Sequence, residues 1–223
     1  MTPNQITTFR VLIAFLAVGL FGRAAWANLA ALALVIAAIA LDAVDGYVAR
    51  RKNLSTPLGA QFDIVGDRVI ENLFFTYFAV SGLISIWVPV IFFVRGAATD
   101  FVREVAARTG HQGFGGNWLM QTPWGKALVA SRASRALYGT LKCLCFCLLG
   151  LQLSWPVFAG WGFVAAGLQA RPLQLAILVQ TVVFVTIAFC LLRGLPVLWE
   201  GRRFLFASSF ATGKQQPAGV TAR

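Results

Sequence analysis

Apolar residues run along this chain in long stretches separated by short polar intervals, a rhythm that predicts helices rather than strands. Six stretches stand out: Thr8 to Phe21, Ala27 to Arg50, Gly59 to Ile84, Trp87 to Ala107, Lys126 to Leu151 and Leu173 to Leu198. Apolar runs approaching about 20 residues match the length needed to cross a hydrocarbon core of roughly 30 Å. The expectation is an all-α integral membrane protein with six transmembrane helices in one bundle, opened by an amphipathic N-terminal segment. A seventh apolar patch, Trp155 to Leu168, is broken by glycine and proline, which suits an interfacial turn or an extension of a neighbouring helix. Residues 1–206 form one expected membrane domain. Residues 207–223 turn small and polar, as expected of a disordered cytoplasmic tail.

Composition sharpens this picture. Of 223 residues, 58% are hydrophobic and only 12% charged, against roughly 25% charged in ordinary soluble domains. The net charge is +11. With a cytoplasmic N-terminus, Arg50, Arg51, Lys52, Arg103, Arg108, Lys126 and the tail cations fall inside, leaving Arg23 and Arg171 opposite. The basic excess therefore serves topology, anionic lipid headgroups and phosphate-bearing substrates, and no nucleic-acid partner is expected. Met1 to Ala27 has some look of a secretory signal, but Arg10 is the sole cation ahead of the run and Arg23 interrupts its exit. The segment is expected to be retained in a prokaryotic cytoplasmic membrane. Cys143, Cys145 and Cys147 turn about 200° from one to the next and cannot converge on a metal, so these and Cys190 are expected in the core. His111 falls in a glycine-rich connection, HQGFGG, expected to be a loop.

Half of the eight acids crowd into LDAVDGYVARRKNLSTPLGAQFDIVGDR: Asp42, Asp45, Asp63 and Asp67, with Glu71 one turn later. A carboxylate at membrane depth costs several kcal/mol, about 2.5–3.5 on insertion scales, unless it is paired, hydrated or metal-bound. Spacings of three and four put each pair on one face of its helix. With Pro57 and Gly59 as breakers, the second helix is expected to return antiparallel beside the first. Hard oxygen donors without nearby cysteine or histidine suit magnesium, manganese or calcium. Gly46, Ala49 and Gly59 leave room for a ligand to approach the backbone, and Arg50 is placed to hold a phosphate. Two other readings of the acids stay open: structural ion pairs with Arg50 and Arg68, and the ion pathway of an ion-coupled membrane transporter.

The spacing Asp42, Asp45-Gly46, Ala49-Arg50, Gly59, Asp63, Asp67 matches every one of eight fixed positions, over 26 residues, of the CDP-alcohol phosphotransferase (CDP-alcohol phosphatidyltransferase) signature. The opening PNQITTFRVLIAF also resembles that of many members. The resemblance implies a six-helix membrane enzyme of phospholipid biosynthesis, usually a homodimer, that displaces CMP from a CDP-linked lipid with an alcohol. It implies that Asp42, Asp45 and Asp63, completed by Asp67, bind one or two Mg2+ or Mn2+ ions. Asp67 would also be the general base, and Gly46, Ala49, Arg50 and Gly59 would line the cytidine and phosphate pocket. The site is expected to face the cytoplasm.

The later helices carry unusual polarity for membrane spans. Arg95, Thr99 and Arg103 share a face of the fourth, and Arg132, Arg135, Tyr138 and Lys142 share a stripe on the fifth. For Arg103, snorkelling to the interface competes with a functional role. Several guanidinium groups facing one cavity suit an acceptor that itself bears a phosphate, with glycerol 3-phosphate foremost. The stretch Arg95 to Arg103 and the pair Gly125-Lys126 resemble phosphatidylglycerophosphate synthases; inositol, inositol phosphate, serine or another headgroup alcohol remain open as acceptors.

Overall fold

The computed structural model describes residues 3–52, 57–108, 120–159 and 172–206, with the side chains of 3, 25, 43–52, 57, 58, 60, 108, 157–159, 172 and 204–206 outside the described set. Among the described residues every regular element is helical. The long helices are α1 (Pro3–Leu20), α2 (Ala25–Lys52), α3 (Pro57–Val80), α4 (Trp87–Arg108), α6 (Arg132–Ala159) and α7 (Pro172–Phe206). Between α4 and α6 come a single turn, α5 (Pro123–Gly125), and a π-helical turn, Lys126–Ala130.

The helix ends follow local chemistry. Pro3, Pro57 and Pro172 each open a helix, where the missing N–H costs nothing and φ is already set. After α3 the chain reverses at Gly82, whose φ of 75° favours glycine. The Gly82 N–H donates to the Ala79 carbonyl and the Leu83 N–H to that of Phe78, both at 3.0 Å, which satisfies carbonyls left open by the last turn. The α1–α2 reversal is closed by the Gly22 N–H donating to Asn28 Oδ1 at 2.7 Å.

Packing is centred on phenylalanines of α3. Phe75 meets Phe92 and Phe146 with ring centroids 4.4 and 4.8 Å apart, and Phe74 meets Phe146 at 5.2 Å. Small buried residues, Ala14 and Ala17 on α1 with Ala27, Ala31 and Ala38 on α2, bring those two helices close. Cys145 and Cys190 lie in the core as expected, and all four cysteines are free thiols. Cys143 instead lines a cavity.

The surface inverts the soluble pattern: Phe9, Leu12, Phe15, Leu16, Trp87, Phe93 and Phe184 face outward, while Thr7, Arg10, Glu71, Thr99 and Glu200 are buried. Two described helices, spanning Arg132–Pro156 and Leu173–Arg203, are long and apolar enough to cross a membrane. The acids and arginines in α2, α3 and α4 interrupt comparable windows there. The expected amphipathic N-terminal segment is no separate element, since α1 is continuous from Pro3 and turns its one charge, Arg10, inward.

Two expectations are corrected. First, α3 does not simply lie beside α2: among the described residues both pack on α1, and they contact each other far less. Second, Lys126 to Leu151 is not one helix, because the π-turn ends at Ser131 and α6 starts afresh. The Trp155–Leu168 patch begins as the extension of a neighbouring helix that was one of its two readings, since α6 continues to Ala159; the rest of that patch, His111 and the tail 207–223 lie outside the described residues.

Candidate active site

The site is built where α1, α2 and α3 meet. Asp42 comes from α2, Asp63 and Asp67 from one face of α3, and carboxylate oxygens of all three lie within 4.8 Å of one another. Each of these side chains is about half exposed, whereas the Arg10 side chain from α1 is 2% exposed. Its Nη1 pairs with Asp42, and its Nη2 donates to Asp63 at 3.2 Å and Asp67 at 2.7 Å. Arg68, one of the partners the ion-pair reading offered, instead clamps Asp100 through Nε at 3.0 Å and Nη2 at 3.3 Å; the Arg50 side chain lies outside the described residues.

Gly66, between Asp63 and Asp67, makes this convergence possible. A Cβ there would lie 2.7 Å from Thr7 Cγ2, so only a glycine lets α1 come this close to α3. Three carboxylates around one guanidinium leave a net charge of −2. Three carboxylate oxygens this close, with no sulfur or nitrogen donor among them, form a hard donor set of the kind that divalent cations take. Asp45, Gly46, Ala49 and Arg50 lie on α2 with side chains outside the described residues. Gly59 lies on α3 but lines neither cavity described next.

Two cavities adjoin the acids. The first, of about 260 Å³, runs from Asp42 and Arg10 to Arg135 and has an apolar wall of Ala38, Ile39, Ile70, Phe74 and Phe146. The second, of about 170 Å³, is polar and lies between α3, α4 and α7. It is lined by Arg68, Arg95, Arg103, Lys142 and Arg193 against Asp67 and Glu71. Asp100, which also lies 3.6 Å from Arg103, takes up part of that charge. What remains is close to +2, the complement of a phosphomonoester dianion. Asp67, Glu71, Tyr138, Lys142 and Arg193 line both cavities.

Tyr138 is the hub of the second cavity. The charged groups of Lys142, Arg95 and Arg193 lie 4.8, 5.3 and 5.4 Å from its ring centre, so three cations from three helices share one π face system. Arg95 is fixed further by Nη2 donating to Tyr138 Oη at 3.1 Å and Nε donating to the Cys190 carbonyl at 3.2 Å. Gly194 makes room for it, because a Cβ there would stand 2.8 Å from Arg95 Cγ. Arg193 donates to Ser134 Oγ at 2.6 Å and to the Val129 carbonyl at 3.4 Å, tying α7 to the π-turn.

Of the expected acceptor residues, Arg95, Arg103, Tyr138 and Lys142 meet at the second cavity, and Arg135 lines only the first. Arg132 is exposed and lines neither, as the first residue of α6 just past the break at Ser131. Sequence reasoning gave no site role to Arg193 and weighed Arg10 only as the cation ahead of a possible signal run and as part of the opening PNQITTFRVLIAF. The available signal was the same for both: a lone charge inside an apolar run, which has to face protein or water.

Comparison with known proteins bears on the same residues. A CDP-diacylglycerol–glycerol-3-phosphate 3-phosphatidyltransferase from Pseudomonas fluorescens is 42% identical over 69 residues, covering 30% of this chain and 35% of the relative. One of the same description from Salmonella choleraesuis (strain SC-B67) is 49% identical over 70 residues, covering 30% and 38%. The chain thus spans little more than a third of the length of these curated relatives. The sequence model of the CDP-alcohol phosphatidyltransferases matches residues 1–187, which takes in the three described acids, Arg10 and most of both cavities. The chain belongs to the CDP-alcohol phosphatidyltransferase family.

Proposed function

We propose that this chain transfers a phosphatidyl group from CDP-diacylglycerol to glycerol 3-phosphate, releasing CMP. The observation that carries the reading is the position of Asp67, the one described acid of the cluster that lines both cavities. The amphipathic first cavity suits the reacting end of a lipid diphosphate, with apolar wall on one side and Arg10, Arg135 and Lys142 on the other. The cationic second cavity suits the phosphate of the acceptor. The acceptor phosphate then sits among Arg95, Lys142 and Arg193, which turns its free hydroxyl toward Asp67.

Asp67 takes the proton as that hydroxyl oxygen forms a bond to the phosphatidyl phosphorus. The bond from phosphorus to the CMP oxygen breaks, and CMP departs with the electron pair. Asp42, Asp63 and Asp67, with Asp45 from the same helix as Asp42, would hold Mg2+ or Mn2+, which neutralises diphosphate charge when bound. Arg10 holds these acids in one cluster, and holding the reactants in line supplies much of the rate. Gly46, Ala49, Arg50 and Gly59 belong in this reading to the cytidine side.

The six long helices are read as crossings of a prokaryotic cytoplasmic membrane, with the site on the cytoplasmic side and the chain paired as a homodimer. The names of the two curated relatives, each matched over little more than a third of its length, support the acceptor chosen. The test is CMP release by purified protein in lipid nanodiscs with CDP-diacylglycerol and Mg2+ or Mn2+. The acceptor panel is glycerol 3-phosphate, glycerol, inositol, inositol phosphate and serine. Release is expected with glycerol 3-phosphate well above glycerol; equal rates with the two, or none with any acceptor, would sink the proposal.

A further inference from the structure

Glu71 belongs to no part of the motif, yet it is 3% exposed and lines both cavities one helical turn beyond Asp67. Its Oε2 is held by Lys142 Nζ at 3.3 Å and Arg68 Nη1 at 3.5 Å. Its Oε1 is buried and, among the described residues, has no hydrogen-bond partner. An ionised carboxylate accepts about four hydrogen bonds, and a buried oxygen that receives none is costly. Counter-charge alone explains Oε2 and leaves Oε1 without a role.

We infer that Glu71 reads a second hydroxyl of the acceptor, accepting a hydrogen bond from the hydroxyl on the carbon next to the one that reacts. The inference rests on the proposed acceptor and narrows it to phosphorylated polyols with adjacent hydroxyls. On a helix, side chains four residues apart lie about 5–6 Å from each other on one face. Asp67 and Glu71 therefore form two neighbouring acceptor groups, and the cations of the same cavity fix the phosphate end. A vicinal diol phosphate supplies the matching set: one hydroxyl for Asp67, one for Glu71 and a dianion for Arg95 and Arg193. An acceptor lacking the second hydroxyl offers Glu71 Oε1 no donor.

The experiment compares kcat/KM for glycerol 3-phosphate and for 3-hydroxypropyl phosphate, which lacks only the middle hydroxyl. Wild-type protein is expected to prefer glycerol 3-phosphate by roughly 10- to 100-fold, the range for a hydrogen bond to a charged group. In Glu71→Ala that ratio is expected to fall to within about threefold of unity, and in Glu71→Gln to an intermediate value, since a neutral amide oxygen accepts more weakly. A structural role for Glu71 would slow both acceptors alike, so CMP release with an unchanged ratio in Glu71→Gln overturns the inference alone. Should Glu71→Ala not fold, the drop in Glu71→Gln still decides. Wild-type protein that releases no CMP with glycerol 3-phosphate overturns the acceptor reading and this inference together.

Discussion

The contact between Gly66 and Thr7 allows a test of how the acids are held. In Gly66→Ala the new methyl would lie 2.7 Å from Thr7 Cγ2, where two carbons ordinarily sit about 3.5–4.0 Å apart. Relief requires α1 and α3 to part locally by about 1 Å. The Arg10 contacts to Asp67 at 2.7 Å and Asp63 at 3.2 Å then stretch toward 4 Å, beyond hydrogen-bond range. Overpacking costs about 1–3 kcal/mol, and alanine regains about 1 kcal/mol of helix preference, so unfolding should shift only by about 0–2 kcal/mol. Turnover should fall far more, by about 100-fold, because a displacement near 1 Å takes reacting groups out of line. The assay is kcat for CMP release beside a thermal unfolding curve. Thr7→Ser removes the methyl that clashes and keeps the hydroxyl, so Gly66→Ala/Thr7→Ser should recover most of the lost rate. Wild-type turnover in the single variant, or no recovery in the double, would refute the argument.

Asp67→Asn should lower kcat for CMP release by at least about 100-fold, as loss of a positioned base does, while Mn2+ binding followed by electron paramagnetic resonance persists through the remaining acids. Unchanged turnover would remove the base assignment. Arg193→Gln should raise KM for glycerol 3-phosphate about 10- to 100-fold with a smaller effect on CDP-diacylglycerol, since a charge-assisted contact to phosphate is lost. Arg132→Gln, which alters no cavity wall, should stay within about twofold of wild type in both constants; a large effect there would show that the second cavity is not where the acceptor binds.

What the sequence alone determined was local. The helix-forming runs and the spacing that puts Asp63 and Asp67 on one face both depend on neighbours a few residues apart. The family followed from the same short motif. The polar stripes on α4 and α6 were also visible, because a period near 3.6 survives in any straight helix.

Tertiary structure decided the rest. Arg10 reaches Asp63 and Asp67 across 53 and 57 positions of chain, and only a buried glycine lets the two helices come that close. The break at Ser131 makes Arg132 the first residue of α6 and leaves it exposed at the helix end, while Arg135, Tyr138 and Lys142, further along the same helix, face the cavities. Arg193 and Glu71 became site residues through the packing of α7 and α3 around the same cavities. A charge inside an apolar run has to find a partner, but which one it finds depends on how helices far apart in sequence are rotated against each other.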